Sequence, residues 1–361
     1  MTSRFAALAE ALGDRAPEAL RYLRAPGRVN LIGDHTDYND GFVLPVAIDR
    51  DCLIAFTPRE DARVHVRSLD VADAAWEPFV DGAVAALAER GRAPTGMDAA
   101  LSSTVPLGSG LSSSSALSVA LTLALAAVGG LELDARDAAR AALDAEVRAT
   151  GVPGGLMDQL TAVFGRRSHA LLIDCRSLAV EPIPLPEAYA VLAVHSGLPR
   201  TLAGSAYAER RQACEEIAAR LGVPALRDAT LEQVRDEPLA RHVVTENQRV
   251  LEFADALRAG ADDRLGPLLL ASHGSLRDDY EVSTPELDLA VNLLVEHGAI
   301  GARLTGAGFG GCVLALVEQH RASDVAGKTV TRYRADTGLD AAAFVVSAVD
   351  GAGPVAPHPT A

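Results

Sequence analysis

Three short stretches of this chain concentrate residues able to do chemistry. The first, PLGSGLSSSSALSVALTLAL from Pro106 to Leu125, places Gly108 and Gly110 where a backbone can approach an anion closely. Ser112, Ser113, Ser114 and Ser115 add hydroxyls and a helix cap, and the apolar run behind them predicts a helix with its positive end at the turn. One glycine and one serine would read as an ordinary capped helix; two glycines and four successive serines read as a phosphate cradle. The second stretch, GRVNLIGDHTDYNDGFVLP from Gly27 to Pro45, crowds Asp34, His35, Asp37, Tyr38, Asn39 and Asp40 between two apolar segments. Turn propensity accounts for the Asn and Asp residues, less readily for His35 and Arg28, and the donor and acceptor set suits sugar hydroxyls. The third, EVRATGVPGGLMDQL from Glu146 to Leu160, interrupts a helical pattern with glycines, so that Glu146 and Asp158 could converge on a metal and a hydroxyl. Alone, this last stretch is only suggestive.

The elements that must position these groups follow mixed periods. Helical spacing is read over residues 5–23, 78–89, 113–128, 135–150 and 157–163, and further on over 206–221, 230–236, 243–258 and 285–296. Strands are read over 28–32, 41–48, 52–56, 63–67 and 99–105, in AVLAVHS near residue 190 and in CVLALV after a glycine cluster. This mixture predicts an α+β architecture. The Pro-rich EPIPLPEAY is the expected boundary between a first domain (1–180) and a second (181–350), and GAGPVAPHPTA (351–361) reads as a mobile tail.

Composition narrows the class. At 361 residues two domains are expected. A formal charge of −15, with Arg interspersed among Asp and Glu, disfavours nucleic acid as a partner, so a nucleotide's charge would have to be met locally by backbone N–H groups, a metal and a few arginines. The opening residues lack an uninterrupted apolar core, and the Ala/Leu run of 117–128 is too short to span a membrane; a cytoplasmic protein is expected. Cys52, Cys175, Cys214 and Cys312 are too scattered for a zinc site or a disulfide framework and read as reduced packing residues. GAGFGG (306–311) satisfies a dinucleotide pattern, but a strand follows it instead of a helix. Gly327, Lys328 and Thr329 imitate the end of a P-loop, but Ala322 stands where its first glycine belongs. Neither a hydrolase elbow nor a zinc-protease histidine pair occurs.

Taken together, the three stretches resemble the GHMP kinases, and GRVNLIGDHTDYN resembles the signature of their galactokinase branch. LAGSAYAERRQACEE, VVTENQRV, SHGSLRDDYEVSTPELD and LTGAGFGGCVLALV fit the same family, so the resemblance spans roughly residues 20 to 350. It implies a ribosomal-protein-S5-like first domain, a GHMP α+β second domain, ATP and Mg²⁺ as cofactors, a small-molecule sugar as partner, and a monomer. Carried over residue by residue, it implies phosphate contacts from Gly108, Gly110, Ser112, Ser113 and Ser114, with Ser114 and Glu146 on magnesium. It implies sugar contacts from Asp34, His35, Asp37, Gly155, Asp158 and Tyr207, with GAGFGG supporting the site from the second domain. Trp76 matches a tryptophan beside the adenine, although core packing explains a lone Trp nearly as well.

Phosphoryl transfer needs in-line positioning and charge neutralisation more than covalent help. Asp158 is the expected acceptor of the attacking hydroxyl's proton or its orienter, Arg28 its charge partner, and Asp37 the reader of the axial C4 hydroxyl. Asp34 stands where many family members carry Glu and reaches one methylene less far, while Gly154 and Ser115 also replace commoner residues. A kinase for another sugar, such as N-acetylgalactosamine or arabinose, and a non-catalytic sugar sensor remain as alternatives.

Overall fold

The computed structural model describes residues 2–13, 19–71, 74–198 and 203–357. Along the first half run α1 (Thr2–Ala11), β1 (Arg21–Asn30), β2 (Phe42–Val43), β3 (Pro45–Arg59), β4 (Val64–Ser68), α2 (Glu77–Ala88), β5 (Gly96–Ser103), α3 (Ser113–Val128), α4 (Ala135–Thr150), α5 (Met157–Phe164), β6 (His169–Asp174) and β7 (Ala179–Pro184). There follow β8 (Tyr189–His195), α6 (Ala203–Leu221), α7 (Pro238–Ala259), α8 (Leu265–Asp278), α9 (Pro285–Glu296), β9 (Gly301–Thr305), β10 (Cys312–Glu318), α10 (Ala322–Thr337), β11 (Ala342–Val346) and β12 (Gly353–Pro354). The sheets run β12-β1-β3-β5-β4, β11-β8-β10-β9 and β2-β6-β7, and all pairs are antiparallel except β4 with β5.

Strand alternation distributes the side chains between layers. In β3, Ile54 and Phe56 join the core under α2, α3 and α4, while Leu53 and Ala55 meet Phe5 and Leu8 of α1 on the opposite face. The second sheet is likewise covered on both sides. Val191, Ala193, Leu314 and Leu316 belong to the same core as α3 and the α7 residues Phe253 and Leu257, whereas Leu192, Val194, Val313 and Ala315 pack toward Leu287, Val325 and Tyr333 of α9 and α10. One apolar core therefore runs through both halves and fixes them relative to each other.

Several elements differ from the sequence reading. The helix read over 5–23 stops at Ala11, and Arg21 onward is strand, because Tyr22 and Leu23 pair with Ala55 and Ile54 across a ladder that overrides local helical spacing. Residues 231–236 form turns in place of a helix: Gln233 Oε1 accepts from the Thr230 N–H, and Pro238 opens α7 immediately after. EPIP, within the expected boundary, lies in β7, an edge strand where prolines are tolerated. The expected mobile tail is pinned over its described part: Gly351 and Ala352 donate to the Gly165 and Ala162 carbonyls, and β12 pairs with Leu23 and Arg24 of β1. Residues 358–361 lie outside the described residues. GAGFGG joins antiparallel strands β9 and β10, so it is a hairpin and not a dinucleotide turn, and Lys328 sits on α10 beside Asp324 at the surface. No helix among the described residues is long and apolar enough to cross a membrane.

Candidate active site

A register shift in β1 between Pro26 and Arg28 brings this strand against the Gly/Ser turn, where the Arg28 N–H donates to the Leu111 carbonyl at 3.1 Å. The buried Arg28 guanidinium grips Asp158 with both prongs, Nε to Oδ1 at 2.7 Å and Nη2 to Oδ2 at 2.9 Å, and Nη1 donates to the Gly110 carbonyl at 2.7 Å. Ser112 Oγ donates to Asp158 Oδ2 at 2.5 Å and Ser115 Oγ approaches the same atom at 3.5 Å. Among the described residues, Oδ2 is thus crowded with donors, while Oδ1 has one bond, from Arg28 Nε. Asp158 itself is the second residue of α5, and its side chain stays 22% exposed toward a cavity of about 430 Å³.

That cavity is lined by Arg28, Asp34, His35, Asp37, Gly108, Gly110, Ser112 to Ser115, Glu146, Gly155, Asp158 and Tyr207, so all three motifs meet in one place. Gly108 has φ 69°, a conformation that a side chain disfavours, and it stands at the open rim. One expectation fails here. Ser112 occupies the cap position of α3 in a left-handed conformation (φ 62°, ψ 46°) and makes no side-chain cap bond, because its hydroxyl is turned to Asp158. Trp76 lines an adjoining apolar pocket of about 190 Å³ with Phe79, Leu107 and Leu117, which reaches Ser113 and Ser114, and it also packs against the core.

Glu146, on α4, lies beside Ser114 and Ser115; Ser115 Oγ donates to its Oε2 at 2.9 Å, and Gln159 Nε2 donates to the same oxygen at 2.6 Å. Burial, followed by the nearby negative charge of Asp158, pushes the Glu146 pKa up despite these donors. Asp37 is pushed to about 7 by its removal from water and then by Asp158. Gly155 is needed beside it: a Cβ at that position would stand 1.8 Å from Asp37 Oδ2.

The rest of the polar loop is anchored largely from the second half of the chain. Asp34 pairs with Arg303 of β9 (Nη2 to Oδ2, 2.6 Å), both fully buried, and accepts from Asn30 Nδ2 at 2.9 Å. Burial raises the Asp34 pKa while Arg303 and Asn30 pull against it. Arg303 Nη1 also donates to the Asn30 and Leu31 carbonyls, at 3.1 and 3.2 Å. Glu246 of α7 accepts from the Gly33 N–H at 2.9 Å and Ser272 Oγ at 2.6 Å; burial opposes its charge, but Arg249, His242 and Arg303 outweigh that and lower its pKa to about 2. His35, in a left-handed conformation, contacts Tyr38 through Nδ1 (2.7 Å) and the Ala307 carbonyl through Nε2 (3.2 Å), and burial drives its pKa down to about 3. The Tyr207 ring lies 5.8 Å from that of His35 and 5.2 Å from that of Tyr38.

The sequence reading assigned no role to Arg303, Asn30, Glu246, Gln159 or Tyr280. Glu246 and Tyr280 stand within the matched stretches VVTENQRV and SHGSLRDDYEVST, which offered a signal of place but none of partner.

Comparison with known proteins identifies the family. The galactokinase galactose-binding signature matches residues 7–58, the GHMP kinase N-terminal domain residues 78–166 and the GHMP kinase C-terminal domain residues 253–333. A galactokinase of Roseiflexus sp. (strain RS-1) is 45% identical, with 92% of each chain covered. The crystal structure of Lactococcus lactis galactokinase complexed with galactose is similar at a TM-score of 0.91 and 31% identity over 98% of each chain. Methanococcus jannaschii mevalonate kinase, 18% identical, shares the fold at a TM-score of 0.65 over 91% of this chain and 98% of its own. With its signature segment in the polar loop and relatives matched along nearly its whole length, the chain belongs to the galactokinases, ATP-dependent sugar kinases of the GHMP family.

Proposed function

We propose that this chain transfers the γ-phosphoryl group of ATP to the C1 hydroxyl of galactose, with the sugar between the 34–37 loop, Gly155 and Tyr207 and the phosphates over the Gly/Ser turn. The observation that carries this reading is the two-pronged Arg28–Asp158 pair, set between that loop and that turn. Asp158 Oδ1 keeps a lone pair for the attacking hydroxyl and accepts its proton, while Arg28 holds the carboxylate in place. Backbone N–H groups at the α3 terminus, with Ser112 to Ser114, take up phosphate charge, and the Trp76 pocket receives the adenine. Asp37, held by the close approach of Gly155, reads the C4 hydroxyl.

A magnesium ion suits the donor set at Ser114 and Glu146. Glu146 is a buried carboxylate whose charge is opposed by its surroundings, a situation that a cation relieves. Two protein oxygens are enough for an ion that completes its shell with phosphate and water. When bound, magnesium neutralises phosphate charge.

The test follows ADP release from ATP and Mg²⁺ with galactose, glucose, N-acetylgalactosamine and arabinose offered separately, for the parent chain and for Asp158→Ala. Turnover with galactose and a loss of about 10³-fold or more in the variant, with ATP binding retained, is expected. Turnover with another of these sugars in preference to galactose would reassign the substrate; parental turnover in Asp158→Ala would overturn the role of Asp158.

A further inference from the structure

Behind the sugar loop runs an unbroken row of buried hydrogen bonds that the mechanism above does not use. Cys214 Sγ lies 3.1 Å from Tyr280 Oη, Tyr280 Oη 2.7 Å from Tyr38 Oη, and Tyr38 Oη 2.7 Å from His35 Nδ1. Tyr280 and Cys214 are fully buried, and neither lines the cavity. The far end of the row sets its direction. His35 Nε2 faces the Ala307 carbonyl, which can only accept, so the ring proton sits on Nε2 and Nδ1 must accept. Tyr38 therefore donates to His35, Tyr280 donates to Tyr38, and the Cys214 thiol donates to Tyr280. Asn39 stabilises both ends of the arrangement: its amide donates to the His35 carbonyl at 2.9 Å and also bonds to the Cys214 sulfur.

We infer that Tyr280 is a positioning residue for sugar recognition: acting through Tyr38, it keeps a donor on His35 Nδ1 and so, together with the Ala307 carbonyl, holds the ring as the Nε2–H tautomer, whose N–H, with Nε2 3.2 Å from the Ala307 oxygen, is shared with a sugar hydroxyl that accepts from it. The inference rests on the reading of this cavity as the sugar site. Its consequence is directional. A hydroxyl that accepts from His35 must give its own proton elsewhere, and the acceptors beside it are the carboxyl oxygens of Asp34 and Asp37. The tautomer thus selects a hydroxyl placed to accept on one side and donate on the other, a demand that discriminates between epimers.

The experiment is two-bond ¹⁵N–¹H correlation spectroscopy of the full chain labelled at histidine, with His35 assigned by the loss of its signals in His35→Gln, combined with steady-state kinetics. The parent is expected to show the Nε2–H pattern. Tyr280→Phe is expected to mix the tautomers and to raise the galactose KM about fivefold, while the ATP KM and kcat stay within about twofold. Because Tyr280→Phe disturbs a packed core, Cys214→Ala and Cys214→Ser supply an independent pair: the alanine variant shifts tautomer and KM in the same direction, and the serine variant, which keeps a donor, lies nearer the parent. An Nδ1–H pattern in the parent, or an unchanged tautomer and KM in both Tyr280→Phe and Cys214→Ala, overturns the inference. Addition of galactose to the parent separates the two claims, since His35 resonances that do not move would reject the sugar site itself whatever the tautomer.

Discussion

The two walls of the cavity are built on opposite plans. On the proposed sugar side, the polar loop is held by groups from distant parts of the chain: Asp34 by Arg303 of β9, the Gly33 N–H by the Glu246 carboxylate of α7, and Tyr38, itself bonded to His35, by Tyr280. On the proposed phosphate side, the turn from Gly108 to Ser114 is mostly backbone, with Ser112 strained into a left-handed conformation and Gly108 unhindered by neighbours. A neutral sugar is distinguished by the placement of its hydroxyls, which rewards rigid partners set in advance. A phosphate offers charge and many oxygens, and a curl of N–H groups at a helix end meets it without elaborate side-chain support.

The contrast can be broken from either side. The largest effect is expected from Arg303→Leu, which strands Asp34 in the interior: a loss of about 3–5 kcal/mol in denaturant unfolding, much of it recovered by combining the change with Asp34→Asn. A parental midpoint for Arg303→Leu would mean that the pair does not bind the two sheets together. Next comes a pH effect. The pKa of Asp37 is raised to about 7 in the fold from an ordinary value near 3.8, so the folded state holds the extra proton between these limits. The contribution of Asp37 to stability is complete below about pH 3.8 and is lost as pH rises through 7. The difference in unfolding free energy between the parent and Asp37→Asn should therefore move against the parent over that window, and a flat difference would place the proton elsewhere.

Smaller and more local are two glycine replacements. Gly155→Ala puts a methyl group into Asp37, and a displacement of that kind is expected to raise the galactose KM about 100-fold with little change in the ATP KM. Gly108→Ala meets no neighbour but must adopt a left-handed conformation at a cost of about 1 kcal/mol; a rise of about fivefold in the ATP KM, with the galactose KM unchanged, is expected. If the two variants exchanged phenotypes, the assignment of the walls would be reversed.

What could be read in advance divides along similar lines. The limits of α3, α4 and α9 were legible because local chemistry writes them: Asp134 caps α4, Gly151 ends it, and Thr284 with Pro285 opens α9. The Gly/Ser turn was legible as a turn ahead of α3 for the same reason, since its glycines and serines lie together in the sequence. Its detailed bonding was not, because Ser112 leaves its capping role for a carboxylate 46 positions away. Arg303 is less accessible still: a lone arginine among apolar residues looks like any surface charge until β9 carries it to Asp34, 269 positions distant. β1 was read in part as helix because its partner in β3 is set by tertiary pairing, and α10 was obscured by its resemblance to a phosphate loop.

The pairing of β12 with β1 has a consequence for how the protein is made. β1, which carries Arg28, leaves the ribosome long before β12, the strand that covers its outer edge at Leu23 and Arg24. Throughout synthesis that edge offers unpaired backbone groups to any neighbouring nascent chain, so the late arrival of Gly353 and Pro354 acts as a clasp that ends this period of vulnerability.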